Sequence, residues 1–91
     1  MKDFCGEIKF DLPLNEPLYI ISVVSKIVGI PVWTLREIEK KGIVTPKRLG
    51  RKARLYTFEQ VKKLEYIHYL MFEERVNLSG IKVILEIREN K

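Results

Sequence analysis

Cysteine is nearly missing from this chain. Cys5 is the only one in 91 residues, so no internal disulfide can close and no thiolate zinc site can be assembled. Histidine is as scarce. His68 stands alone, with no cysteine or serine placed as a nucleophile partner, and reads as a surface or half-buried structural residue. No glycine-rich loop precedes a helix, which removes the usual phosphate cradle of nucleotide-binding proteins. The longest apolar run, Leu18 to Val24, is interrupted by Ser22 and falls far short of the roughly 20 residues a membrane-spanning helix needs. A basic segment followed by an apolar one does not open the sequence, so the expectation is a cytoplasmic protein with no membrane partner. Glu73 and Glu74 read as a solvated helix end rather than a metal pair. What remains is an ordinary composition, 46% apolar and 32% charged, enough for one small core and too apolar for disorder. These absences point away from an enzyme, and no cofactor or metal is expected.

Positive charge, by contrast, is present and unevenly placed. Residues 1–20 carry a net −2, residues 55–91 are balanced, and residues 21–54 carry nine Lys or Arg against Glu37 and Glu39, a net +7. Within that third, residues 47–54 hold five cations and no acid. Clustered positive charge is the electrostatic footprint of a polyanion partner. A basic loop in isolation is more often merely solvated, so its surroundings decide.

Residues 1–17 read as an N-terminal extension, in which Ile8, Phe10, Leu12 and Leu14 alternate as in a short strand limited by Pro13 and Pro17. Residues 18–91 read as one domain. Ser22 is expected to cap a first helix with Val23, Val24, Ile27 and Val28 on its buried face, and Gly29 to end it in the left-handed region. Pro31 begins a second helix, with Leu35, Ile38 and Ile43 inward and Thr34, Arg36, Glu37, Lys40 and Lys41 outward. Gly42 closes that helix and Pro46 prevents its resumption. Two short helices joined by a glycine turn predict a helix-turn-helix. Lys47 to Tyr56 reads as a wing pivoting at Gly50, with short strands on either side. Thr57 and Gln60 form a capping box that opens a third helix over 58–74, with Val61, Leu64, Ile67 and Leu70 or Met71 inward. Asn77 caps a fourth helix carrying Ile81, Ile84, Leu85 and Arg88. The expected fold is mainly α: a winged helix-turn-helix of about four helices with a small β wing.

Four spaced motifs, Thr34-Leu35-Arg36-Glu37-Ile38-Glu39, Gly42-Ile43-Val44, Pro46-Lys47-Arg48 and Arg54-Leu55-Tyr56-Thr57, resemble the DNA-binding domain of the MerR (mercury-resistance-type) transcription regulators. The resemblance covers about residues 18–87. Glu16-Pro17-Leu18-Tyr19, Ile20-Ile21-Ser22-Val23 and Val76-Asn77-Leu78-Ser79-Gly80-Ile81-Lys82 look most like the heat-shock repressor branch of that family. What this implies is a sequence-specific DNA-binding transcription regulator, a repressor of stress or chaperone genes. It would act on inverted repeats in double-stranded DNA as a homodimer, with an Hsp70-type chaperone as co-repressor. The chain departs from the family in two places: Glu37 and Ile38 replace an aromatic pair, and Trp33 stands where the branch has a polar residue. The long dimerisation helix and an effector domain have no counterpart in these residues, so small-molecule or metal sensing is not expected.

The candidate DNA contacts divide by chemistry. Lys40, Lys41, Lys47, Arg48, Arg51, Lys52 and Arg54 are candidates for phosphates, where each neutralised charge releases counterions. Such contacts position the protein without reading sequence. Trp33, Thr34, Arg36 and Glu37 lie at the exposed front of the second helix. There Arg36 can bond two guanine acceptors, Thr34 can touch a thymine methyl and Glu37 can accept from cytosine. Arg36 equally suits a surface ion pair, and Glu37 a solvated helix position. Arg51 and Arg54 suit the minor groove or its flanking phosphates, although Arg54 could instead pair with Glu39 and brace the wing. Tyr56 suits either a phosphate contact or a core anchor. Trp33 suits contact with the wing, a second subunit or the DNA backbone.

Two other functions fit the same residues. One is a protein-interaction adaptor docking through Trp33 and the fourth helix. The other is a short architectural or excision-type DNA-binding factor assembling head-to-tail on direct repeats.

Overall fold

The computed structural model of the chain describes residues 15–51 and 53–89. The strand expected over Ile8 to Leu14, Cys5 and the wing residue Lys52 therefore lie outside the described residues. The elements run β1 (Tyr19–Ile20), α1 (Ile21–Val28), α2 (Val32–Lys40), β2 (Lys47–Leu49), β3 (Ala53–Tyr56), α3 (Phe58–Phe72) and α4 (Leu78–Glu89). A three-stranded antiparallel sheet of order β1-β3-β2 sits against the helices.

The first strand was not visible in the hydrophobic pattern. Tyr19 and Ile20 pair with Tyr56 and Leu55, and the Leu18 N–H donates to the Tyr56 carbonyl at 3.1 Å. That pairing moves the start of the first helix. Ile20, held extended at φ −77° and ψ 160°, becomes the N-cap without a side-chain bond, and Ser22, the expected cap, falls one residue inside the helix. The buried face of α1 is also narrower than expected. Val24 and Val28, one turn apart, enter the core, whereas Val23 and Ile27 face solvent. A two-residue stripe suffices because α1 is wedged among α2, α3 and β3 rather than laid along one broad surface.

Both ends of the helix-turn-helix follow from glycine chemistry. Gly29 takes φ 78° and its N–H closes α1 on the Ser25 carbonyl, while the Ser25 hydroxyl donates to the Ile30 carbonyl at 2.6 Å across the turn. Gly42 takes φ 75°; its N–H reaches the Glu39 carbonyl at 2.9 Å and the Ile43 N–H reaches Ile38 at 3.1 Å. That pair of bonds is the Schellman closure, and it drops Ile43 into the core behind α2.

Thr57 and Gln60 make both bonds of the capping box at 3.0 Å, and the Gln60 amide also donates to the Thr45 carbonyl at 2.9 Å, tying the loop after α2 to the start of α3. Asn77 caps α4 through the Gly80 N–H at 2.8 Å. The third helix ends at Phe72, two residues earlier than expected, and Arg75 turns the chain at φ 58°. Val24, Ile30, Leu35, Ile38, Leu64, Ile67 and Ile81 are fully buried in one cluster; truncating such a residue to alanine costs about 2–5 kcal/mol. No helix among the described residues is long and apolar enough to cross a membrane.

Candidate nucleic-acid interface

Helical spacing assembles the first part of the site. With Leu35 and Ile38 committed to the core, Trp33, Arg36, Glu37 and Lys40 fall at i, i+3, i+4 and i+7 and line one exposed stripe of α2. Trp33 is 73% exposed, with nothing from the described residues covering it. Thr34 is half-buried in the first turn, its N–H donating to the Pro31 carbonyl at 3.0 Å. Lys41 is exposed just beyond the helix. Arg36 forms no ion pair among the described residues.

Strand register assembles the second part. The turn at Gly50, φ 71°, sets Arg48 opposite Arg54 and Lys47 opposite Leu55. Because side chains alternate along a strand, Arg48, Arg54 and Tyr56 share the face turned toward α2, and Lys47 and Leu49 share the other. Two arginines directly opposite each other would repel. Glu39 of α2 stands between them: one carboxylate oxygen accepts from Arg48 Nε at 3.1 Å and the other from Arg54 Nε at 2.5 Å. The Glu39 side chain is 13% exposed, that of Arg54 17% and that of Arg48 49%. Burial would raise the Glu39 carboxyl, but hydrogen bonds and charge from Arg54 and Arg48 outweigh it and hold it below the ordinary carboxylate value.

Arg36, Glu37, Glu39, Lys40, Arg48 and Arg54 thus line a shallow cleft of about 330 Å³ between α2 and the wing. Lys47 and Arg51 are exposed on the wing beside it. Helix α2, the residue just beyond it and the hairpin together carry seven described cations: Arg36, Lys40, Lys41, Lys47, Arg48, Arg51 and Arg54. Among the described residues no three His, Cys, Asp or Glu side chains converge as a metal site would require.

Two of these residues make contacts within the fold. Arg54 pairs with Glu39 across wing and helix. Tyr56 is not a surface residue: it is 1% exposed and its buried hydroxyl finds no hydrogen-bond partner among the described residues, because the pleat that turns Arg54 toward α2 turns Tyr56 the same way, deeper in. Burial first, and the Glu39 charge second, push its phenol up to about 12. His68 is half-buried, its ring 4.5 Å from that of Phe72 and beside the turn at Gly29. Sequence reasoning missed that Arg48 shares Glu39. The signal was there in the hairpin: a turn centred just after Gly50 sets positions 48 and 54 opposite one another.

Comparison with known proteins agrees with this geometry. Residues 19–87 match the family described as MerR HTH family regulatory protein. The chain is 33% identical over 78 residues to the heat shock protein named HspR from Streptomyces coelicolor, covering 86% of this chain and 52% of that protein. It is 32% identical over 77 residues to the HTH-type transcriptional regulator GlnR of Bacillus anthracis, covering 85% of this chain and 59% of the other, and equally to GlnR of Bacillus cereus. The chain spans a little over half the length of these relatives.

Proposed function

The chain belongs to the MerR family of helix-turn-helix regulatory proteins, and from that premise we propose that it is a sequence-specific DNA-binding repressor of stress or chaperone genes. The observation that carries this reading is the exposed stripe Trp33, Arg36, Glu37 and Lys40 on α2, set beside a cationic wing. In the proposed complex α2 enters the major groove, where Arg36 bonds guanine acceptors and Glu37 accepts from cytosine. Lys40, Lys41, Lys47, Arg48 and Arg51 engage phosphates on either side, and Lys52 belongs with them by charge. Tyr56 supports the wing from inside. The likeness to a heat shock protein named HspR supports stress genes as the targets. Two copies bind an inverted repeat, since a palindromic site asks for two-fold protein symmetry. An Hsp70-type chaperone as co-repressor completes the proposal by analogy with the heat-shock branch.

Selection from a pool of random duplexes at physiological salt tests the reading. An enriched inverted repeat supports a symmetric DNA-binding dimer. Direct repeats point to head-to-tail assembly instead. No enrichment rejects the regulator reading and moves the search to protein partners for the exposed Trp33.

A further inference from the structure

Glu39 is the one acid in the described structure that faces both strands of the wing, and it is spent on arginines that a DNA reader would be expected to offer to phosphate. Each guanidinium is bonded through Nε alone. A guanidinium has five N–H donors in a fixed fork, so this leaves the Nη edge of each without a recorded partner among the described residues. Arg54 is nearly covered, but Arg48 is half-exposed, with its plane fixed from behind. Resting on the DNA-binding reading above, we propose that Glu39 is a specificity-setting positioning residue: it cancels one wing charge that would otherwise bind any DNA, and it orients Arg48 so that its outer edge meets a phosphate only when α2 is seated in the right register.

Both effects widen the gap between the correct site and all others, by different routes. Non-specific binding is governed by the number of neutralised phosphates, each contributing about 0.9 to the log–log salt slope. The trio of Glu39, Arg48 and Arg54 carries a net +1, and without the carboxylate it carries +2. One added effective charge strengthens non-specific binding by about fourfold at 0.2 M salt and about fifteenfold at 0.05 M. Specific binding gains no such benefit, because its register is fixed by base contacts, and an Arg48 freed to swing must be re-ordered at each encounter. The discrimination between the two falls accordingly. The lowered Glu39 carboxyl agrees with a group kept ionised for this purpose at any physiological pH.

Glu39→Gln keeps the shape and removes the charge. Its affinity for the selected duplex and for a scrambled duplex should be measured from 0.05 to 0.4 M salt, with thermal unfolding as the control for folding. The expected result is a steeper salt slope on the scrambled duplex, by about 0.9, and a specific-to-scrambled ratio at least about fourfold lower at 0.2 M. Adding Arg48→Ala to Glu39→Gln should return the scrambled slope to the wild-type value, which a merely structural role would not do. If Glu39→Gln does not fold, Arg48→Lys carries the test: it keeps the charge at an exposed position but loses the fork, and should weaken the selected site while leaving the scrambled slope unchanged. Equal shifts on both duplexes, or an undiminished ratio, overturn the inference alone. A wild-type protein that prefers no duplex overturns the DNA-binding reading and this inference with it.

Discussion

Replacing Lys47 by alanine tests the electrostatic part of the account with little risk to the fold. Lys47 opens β2, is exposed, lies on the wing face turned away from Glu39, and contributes only its backbone to the pairing with Leu55. On the selected duplex, five cations among the described residues remain available to phosphate once Arg54 is set aside as covered: Lys40, Lys41, Lys47, Arg48 and Arg51. At about 0.9 per contact they give a slope near −4.5, so affinity should fall about 500-fold between 50 and 200 mM salt. Lys47→Ala should reduce the slope to about −3.6 and the fall to about 150-fold, with about fourfold weaker binding at 0.2 M on every duplex alike. Fluorescence anisotropy with a labelled duplex across a salt series reads both quantities. An unchanged slope, or a loss confined to one sequence, would refute the assignment of Lys47 to a phosphate.

Arg36→Ala should cost about 1–3 kcal/mol on the selected site and relax its preference at one base position, which repeated selection with the variant would reveal. Tyr56→Phe removes a buried hydroxyl that has no partner among the described residues, so stability at neutral pH should hold or rise by about 1 kcal/mol, and DNA affinity should not change. The same variant tests a pH dependence: the Tyr56 phenol, pushed up to about 12, keeps the fold's advantage below the ordinary value of 10 and loses it as pH rises toward 12. Wild type should therefore lose more stability than Tyr56→Phe across that window in chemical unfolding. Thr57→Ala removes the hydroxyl that accepts from the Gln60 N–H and leaves the bond from the residue 57 N–H to the Gln60 side chain in place, and should cost about 1 kcal/mol by thermal melting.

The parts of the fold that short-range chemistry decides were legible in the sequence. Gly29 and Gly42 sit where the chain needs positive φ, Thr57 and Gln60 bond as their spacing predicts, and Leu35 and Ile38 orient α2. The parts decided by partners distant in sequence were not. A two-residue strand such as β1 has no period to detect, and its pairing with β3 is what displaced the cap from Ser22 to Ile20. Val23 and Ile27 carry the same apolar signal as Val24 and Val28, and only the packing of α3 and β3 around α1 separates them. At the candidate site, residue types named the cations, but strand register chose their roles: it turned Tyr56 inward, set Arg48 opposite Arg54, and gave both to Glu39.

The most direct test of the central claim is an amide chemical-shift map of the protein with and without its selected duplex. The account predicts that the large changes fall on α2 from Trp33 to Lys41 and on the wing from Lys47 to Arg54, with α4 largely unmoved. Changes concentrated on the outer face of α4, with α2 and the wing silent, would contradict it.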